Sequence, residues 1–300
     1  NLAEEDRLVR RLVDGLSDYR NISYNSLQGK PLIKIVKRIF TMKLIFIRHA
    51  EPDYSIDSLT QKGFEEAELL AKRTASWRVT DFYSSPLGRA VRTSEPTLKC
   101  HNRTAVIYDW LQEFRVPVSS EGRADGKTIP WDFMPEYLNR YPELLDAAHW
   151  LDTPVMKSGN VKEAYTHVCG SFDELLAKYG YVRDGLAYRT AHTESSCSYM
   201  VYNGTTKECM ANHSDDEPVL VFFCHLGIML CIMSHLLNTS PVTLWQGFFT
   251  PPSSVTVLSA EERIPGLAYF RCQMLGDTSH LRLNDEPVSY YGGFAPPFQG

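Results

Sequence analysis

Lys43-Leu44-Ile45-Phe46-Ile47-Arg48-His49-Ala50-Glu51 is the stretch from which the fold of this chain is read. Its apolar run, rich in branched residues and Phe, has the pattern of a short strand buried on both faces. The run stops at Arg48-His49, a cation beside a potential nucleophile. In open α/β sheets, ligands gather at the carboxyl ends of the strands, so a reactive pair belongs there. A strand simply turning out to solvent would carry the same two residues. The rest of the chain has to choose between these readings.

A second apolar run, Val219-Leu220-Val221-Phe222-Phe223-Cys224, also ends in a histidine, His225. Leu226-Gly227-Ile228-Met229-Leu230 then opens a buried helix that extends to about Leu237. Between the two runs, Pro52-Asp53-Tyr54-Ser55 has turn chemistry. Thr60 is placed to cap a helix whose apolar stripe is Phe64, Ala67 and Ala71. Asp81-Phe82-Tyr83-Ser84 reads as a short strand broken by Ser85-Pro86, with a helix following through Arg89, Arg92 and Thr93. Ala105-Val106-Ile107-Tyr108 is a further strand, followed by Leu111-Gln112-Glu113-Phe114-Arg115. Ser254–Leu258 and Ala268–Cys272 form the last two strands, as a hairpin. The alternation predicts an α/β fold.

Flanking segments break this rhythm. Leu8, Val9, Leu12, Val13 and Leu16 recur at helical spacing. Leu32, Ile33, Val36, Ile39 and Phe40 do the same above a basic face of Lys30, Lys34, Lys37 and Arg38. Residues 1–41 are therefore expected to be a helical accessory extension. Packing on the main domain or a partner is the commoner fate of such a helix, and an anionic membrane surface the rarer one. Residues 42–300 make up the main domain. From about Val116 to Glu217 the strand-helix order is lost, which marks an inserted helical lid subdomain, because structureless loops of that length are rare. Within it, Val161 to Tyr179 is the longest helix candidate. The tail from Tyr290, rich in Gly, Pro and aromatics, is expected to pack irregularly or fray.

The 300 residues suffice for one large domain with an insertion. A formal net charge of -5 gives no reason to expect a nucleic-acid partner. No apolar run approaches the roughly 20 residues of a membrane span, and no signal peptide is visible at the start. The 7 cysteines include no CxxC pair and no metal-ligand spacing, and an odd number cannot all pair internally. A reducing, cytoplasmic setting follows, with Cys224 and Cys231 in apolar surroundings. Oligomeric state is left open, a homo-oligomer included.

Two apolar strands that both end in histidine, with Arg48 beside one and Arg89 after the Ser-Ser-Pro turn, favour a functional pocket. A dianionic phosphoryl group needs several fixed donors, and Arg supplies a fork matched to its oxygens. Neutral imidazole can attack phosphorus, and its ordinary pKa of about 6.5 leaves much of it neutral. A carboxylic acid must protonate the leaving oxygen, and Glu113 follows a strand in a suitable place.

Arg48-His49-Ala50-Glu51, Leu59-Thr60-Gln61-Lys62-Gly63, Ser85-Pro86-Leu87-Gly88-Arg89-Ala90, Leu111-Gln112-Glu113 and Cys224-His225-Leu226-Gly227 resemble the ordered motifs of the histidine phosphatase superfamily, in particular its phosphoglycerate mutase-like branch. The likeness runs from about Met42 to Leu258, with no specific match in the long middle segment. It implies a three-layer α/β/α sandwich with a mostly parallel central sheet. It also implies metal-independent and cofactor-free phosphoryl transfer through a phosphohistidine. By this resemblance His49 is the nucleophile, and Arg48, Arg89 and His225 bind the phosphoryl oxygens. Glu113 is the general acid and then the general base. Phe114-Arg115-Val116-Pro117 does not reproduce the basic substrate-binding stretch of the mutases. Hydrolysis of a small phosphorylated metabolite is therefore expected, ahead of mutase-type transfer or a non-catalytic phospho-ligand-binding module.

Other residues have two readings each. Ser85 can donate its hydroxyl to phosphate or cap the next helix, and Arg92 can reach the phosphate or face solvent. Arg115 is a candidate substrate contact. With Arg123, Lys127, Trp131 and Trp150 it can line a lid, or each can be an ordinary surface or subdomain residue. Glu51 reads as structural more than catalytic.

Overall fold

The computed structural model describes residues 34–37, 42–119, 126–191, 199–202, 217–264, 266–293 and 295–298. In chain order, the main sheet and its helices are β1 (Lys43–Arg48), α1 (Gln61–Thr74), β2 (Asp81–Ser84), α2 (Gly88–His101), β3 (Val106–Ile107), α3 (Val161–Ala177), β4 (Val182–Asp184), β5 (Ala187–Arg189), β6 (Val219–Cys224), α4 (Leu226–Leu237), α5 (Pro241–Gly247), β7 (Val255–Ile264) and β8 (Leu267–Asp277). The eight strands lie in the order β3-β2-β6-β1-β7-β8-β5-β4.

Strand periodicity assigns the layers, because successive side chains point to opposite faces. Leu44 and Phe46 of β1, with Leu220 and Phe222 of β6, pack on Phe172 and Leu175 of α3 and on Ile228 and Leu230 of α4. Ile45, Ile47, Val221 and Phe223 point the other way, into a cluster with Leu70 of α1, Phe82 of β2 and Leu98 of α2. The sheet is thus covered on both faces, giving the expected three layers. Aromatic stacking tightens the first face: Phe46 and Phe222 lie 4.9 Å apart, and Phe172 sits 5.6 Å from Phe222. Burying each such ring is worth about 1.5–3 kcal/mol.

Local signals account for the helix boundaries. Thr60 accepts a 3.0 Å hydrogen bond from the Gly63 N–H and caps α1 as its sequence predicted. α4 is buried almost all round, which matches its nearly unbroken run of apolar residues. Among the described residues, no helix is long and apolar enough to cross a membrane.

Three details differ from the sequence reading. The sheet is mixed: β3, β2, β6 and β1 run parallel, and the pairings from β1 through β7, β8, β5 and β4 are antiparallel. The segment beyond Val116 is not wholly a lid, since α3 packs into the main core and β4–β5 extend the main sheet. β4 and β5 are three residues each, too short to show a period, and only Gly185, at φ +59, marks the turn between them. The closing hairpin is also longer than expected, because Glu261 and Glu262 interrupt its apolar alternation while still pairing across it.

Lys34–Lys37, placed in a helix by its spacing, is a strand paired with Tyr199–Tyr202 in a separate two-stranded sheet. The adjacent β-branched residues Ile35 and Val36 favour the extended form. The remainder of the expected helical extension, residues 1–33 and 38–41, lies outside the described residues.

Candidate active site

Register brings the two histidines together. β1 and β6 are parallel neighbours with Arg48 opposite Cys224, so His49 and His225 leave the sheet side by side. The His49 N–H donates to Cys224 O at 2.9 Å, and the two rings lie 5.1 Å apart. On the other side of β6, the Ser85 N–H continues the ladder to Phe223 O at 2.9 Å. Three parallel strand ends therefore meet at one edge, where such sheets place their ligands.

His49 is held in one tautomer. Its Nδ1 lies 2.8 Å from Ala50 O, a carbonyl that can only accept, so Nδ1 carries the proton and Nε2 keeps its lone pair. Burial pushes its pKa well below the ordinary value, and the nearby charges of Arg48, Arg89 and Arg115 push in the same direction. His225 is depressed likewise, first by burial and then by His49 and the same arginines. Both imidazoles are thereby biased toward the neutral form.

Ser85 contacts His225, its Oγ lying 2.8 Å from Nε2. It is not the helix cap: Leu87 holds that position, and the Gly88 N–H is taken by Asp57 Oδ2 at 2.7 Å. Arg48 donates from Nη1 to Thr250 O at 2.7 Å and from Nη2 to Tyr291 O at 2.9 Å. Arg89 donates from Nη1 to Asp57 Oδ1 at 2.6 Å. Three buried nitrogens in this cluster, Arg48 Nε, Arg89 Nε and His225 Nδ1, have no hydrogen-bond partner. Leaving such a group unpaired costs about 1–3 kcal/mol, so three together mark a site made for an acceptor-rich ligand.

Asp57 was not legible in the sequence, where it is one acid among several in a turn. It adopts φ 45, a left-handed conformation that Asp tolerates, and so presents its carboxylate to both Gly88 and Arg89. Close approach makes Gly88 obligatory: a methyl group there would lie 2.0 Å from Asp57 O. Gly88→Ala is expected to lower stability by about 1–3 kcal/mol in denaturant titration, as overpacking does, and to displace the Arg89 guanidinium. An unchanged midpoint would show that the Asp57 turn yields freely.

Glu113 lies on the same edge, just after Asp109–Leu111. Its Oε1 accepts from the N–H groups of Phe114 at 3.0 Å and Ile228 at 3.1 Å. Burial nevertheless dominates and raises its pKa, against the lowering pull of those N–H groups, Arg48 and Arg89. The site thus pairs a neutral imidazole with a carboxyl biased toward its protonated form. Arg115 is exposed at the mouth, with its guanidinium 5.6 Å from the Tyr54 ring centre, and Arg89 approaches the same ring at 5.1 Å.

The remaining sequence candidates divide. Glu51 is structural, accepting from Thr60 Oγ1 at 3.0 Å and Ser289 Oγ at 2.7 Å. Arg92 points away and pairs with Glu95 on the exposed helix face. Trp150 is core, edge-on to Tyr165, and Lys127 is exposed in a short hairpin. Arg123 lies outside the described residues. The tail does not fray between Glu286 and Tyr291. Lys62 holds Glu286, Ser289 binds Glu51, Tyr291 O binds Arg48, and the Tyr291 ring lies 5.5 Å from Tyr54. Its only sequence signal was composition, which does not specify docking. Among the described residues, no group of three or more His, Cys, Asp or Glu side chains is arranged to hold a metal ion.

The family model described as Histidine phosphatase superfamily (branch 1) matches residues 44–140, which include Arg48, His49, Arg89, Glu113 and Arg115. Phosphoserine phosphatase 1 of Hydrogenobacter thermophilus is 24% identical over 151 residues, 46% of this chain. The match spans 66% of the length of that relative. Among solved structures, a mycobacterial glucosyl-3-phosphoglycerate phosphatase is 16% identical with a TM-score of 0.48, covering 79% of this chain and 100% of that one. A phosphoserine phosphatase mutant from Entamoeba histolytica, in complex with phosphoserine, is also 16% identical, with a TM-score of 0.47 and coverages of 80% and 99%.

Proposed function

We propose, from the match of residues 44–140 to the histidine phosphatase superfamily model, that this chain is a phosphomonoesterase that hydrolyses a small phosphorylated metabolite through a phosphohistidine. The observation that carries the proposal is the set of three unpartnered buried nitrogens beside two neutral imidazoles. A phosphoryl group offers three oxygens to Arg48, Arg89 and His225. With the Ser85 hydroxyl donating to Nε2, His225 keeps a proton on Nδ1 to give.

In the first step the Nε2 lone pair of His49 attacks phosphorus and the ester P–O bond breaks. The departing oxygen takes the proton of Glu113. In the second, water attacks the phosphohistidine, Glu113 accepts a proton from it, and the P–N bond breaks to release inorganic phosphate. Catalysis is then mainly positioning and charge stabilisation by the two guanidinium groups. Arg115, exposed beside Tyr54, is a contact for the part of the substrate beyond the phosphate.

Incubation with a panel of phosphate monoesters, read as free inorganic phosphate, tests this reading. Release of free phosphate with kcat/KM differing among the esters is the expected result. Phosphate that stays on the organic product and reappears on a second carbon would make the chain a mutase. Ester binding without turnover would make it a phospho-ligand-binding module.

A further inference from the structure

Trp131 comes from the inserted segment, 17 residues after Phe114. Its indole N–H donates to Phe114 O at 2.7 Å, the carbonyl directly after Glu113. Gly227 fixes how near the ring comes to the carboxylate. A methyl group at Gly227 would lie 2.6 Å from Glu113 Oε1 and 2.9 Å from Trp131 Nε1, so both groups crowd the same face of that glycine. The backbone of Trp131 is held as well, with Gln246 Nε2 donating to Trp131 O at 3.1 Å. A large apolar ring is thereby held next to the carboxyl group.

We infer that Trp131 is a positioning residue for Glu113: its ring excludes water from the carboxyl group and its N–H fixes the Phe114 carbonyl, keeping the acid protonated and aimed at the leaving oxygen. The inference rests on the phosphatase reading above and adds a residue that its chemistry does not name. Removal of the ring admits water and favours the carboxylate form. Among the described residues, the other charged or titratable groups that act on Glu113 include Arg48 from β1, Arg89 from α2, Cys224 from β6 and Cys231 from α4. The substitution touches none of these, so a shift in the alkaline limb reports on Trp131 itself.

Two esters separate a positioning role from a structural one. Glycerol 2-phosphate releases an alkoxide that must be protonated, whereas p-nitrophenyl phosphate releases a phenolate stable without a proton. Trp131→Ala is expected to lower kcat on glycerol 2-phosphate by about 10- to 100-fold, part of the range for general acid catalysis, and on p-nitrophenyl phosphate by less than about threefold. The alkaline limb of kcat on the alkyl ester is expected to move to lower pH. Trp131→Phe, which keeps a ring but loses the N–H, should fall between wild type and Trp131→Ala. Retained p-nitrophenyl phosphate activity also shows that the variants are folded. Equal losses on both esters with an unmoved alkaline limb would overturn the inference. A wild-type enzyme inactive on both esters would instead overturn the phosphatase reading.

Discussion

His49→Ala is expected to lower hydrolysis of p-nitrophenyl phosphate by about 10⁴-fold or more, the scale on which covalent catalysts lose turnover without their nucleophile. The structure leaves little scope for a substitute. Among the described residues His225 is the only other imidazole in the cluster, and its Nε2 is engaged by Ser85. Water entering the vacated space would have to attack phosphorus with no base aligned as Nε2 is aligned by the Ala50 carbonyl. The fold should survive, because the strand ladder around position 49 is made by backbone groups, including the 2.9 Å bond to Cys224 O. Steady-state p-nitrophenolate release, with circular dichroism on the same sample, checks both parts. A loss below about tenfold would mean that His49 is not on the reaction path.

Glu113→Gln is the second large effect, and it depends on the leaving group. On an alkyl ester kcat is expected to fall by about 10²- to 10⁴-fold, the usual contribution of a general acid. On p-nitrophenyl phosphate the loss should be far smaller, since bond cleavage then needs little help from a proton. Gln is a close mimic, because its carbonyl oxygen can still accept from the Phe114 and Ile228 N–H groups. Stability should therefore change little, which separates lost acid catalysis from lost structure. Rate ratios for the two esters, measured on wild type and variant, decide the matter, and equal losses on both would remove Glu113 from the role of acid.

Much of this site is legible in the sequence. Arg48, His49 and His225 follow from two apolar strands that stop in polar pairs, and Arg89 follows from its place after Ser-Ser-Pro. What one strand end cannot tell is whether the other lies beside it; the register of β1 and β6 supplies that, aligning Arg48 with Cys224. Asp57, the Tyr291 carbonyl and the need for glycine at positions 88 and 227 were not legible. Each depends on contact between segments remote in sequence, and a backbone carbonyl such as that of Tyr291 carries no residue-type signal at all. How the inserted segment packs is not legible for a related reason. α3 has a clear helical period, but periodicity says that a face is buried and not against what. Its Phe172 joins the main core through Phe46 and Phe222.

The two residues after His225, Leu226 and Gly227, are differently constrained. Only the second position is pressed by its neighbours, with Glu113 and Trp131 both within 3 Å of where a Cβ at Gly227 would stand. Leu226 instead packs at the margin of the core, as a partly buried residue. Glycine thus stands where the Glu113 carboxylate comes closest to the backbone.

The reaction path is most directly examined by trapping the intermediate. Wild-type protein is mixed with a phosphate monoester, quenched in alkali within one turnover, where phosphohistidine survives, and digested for mass spectrometry. Covalent catalysis predicts one phosphoryl group, labile to acid, on the peptide that contains His49, formed and lost at rates matching turnover. Phosphate carried by a different side chain, or full turnover with no labelled peptide, contradicts it.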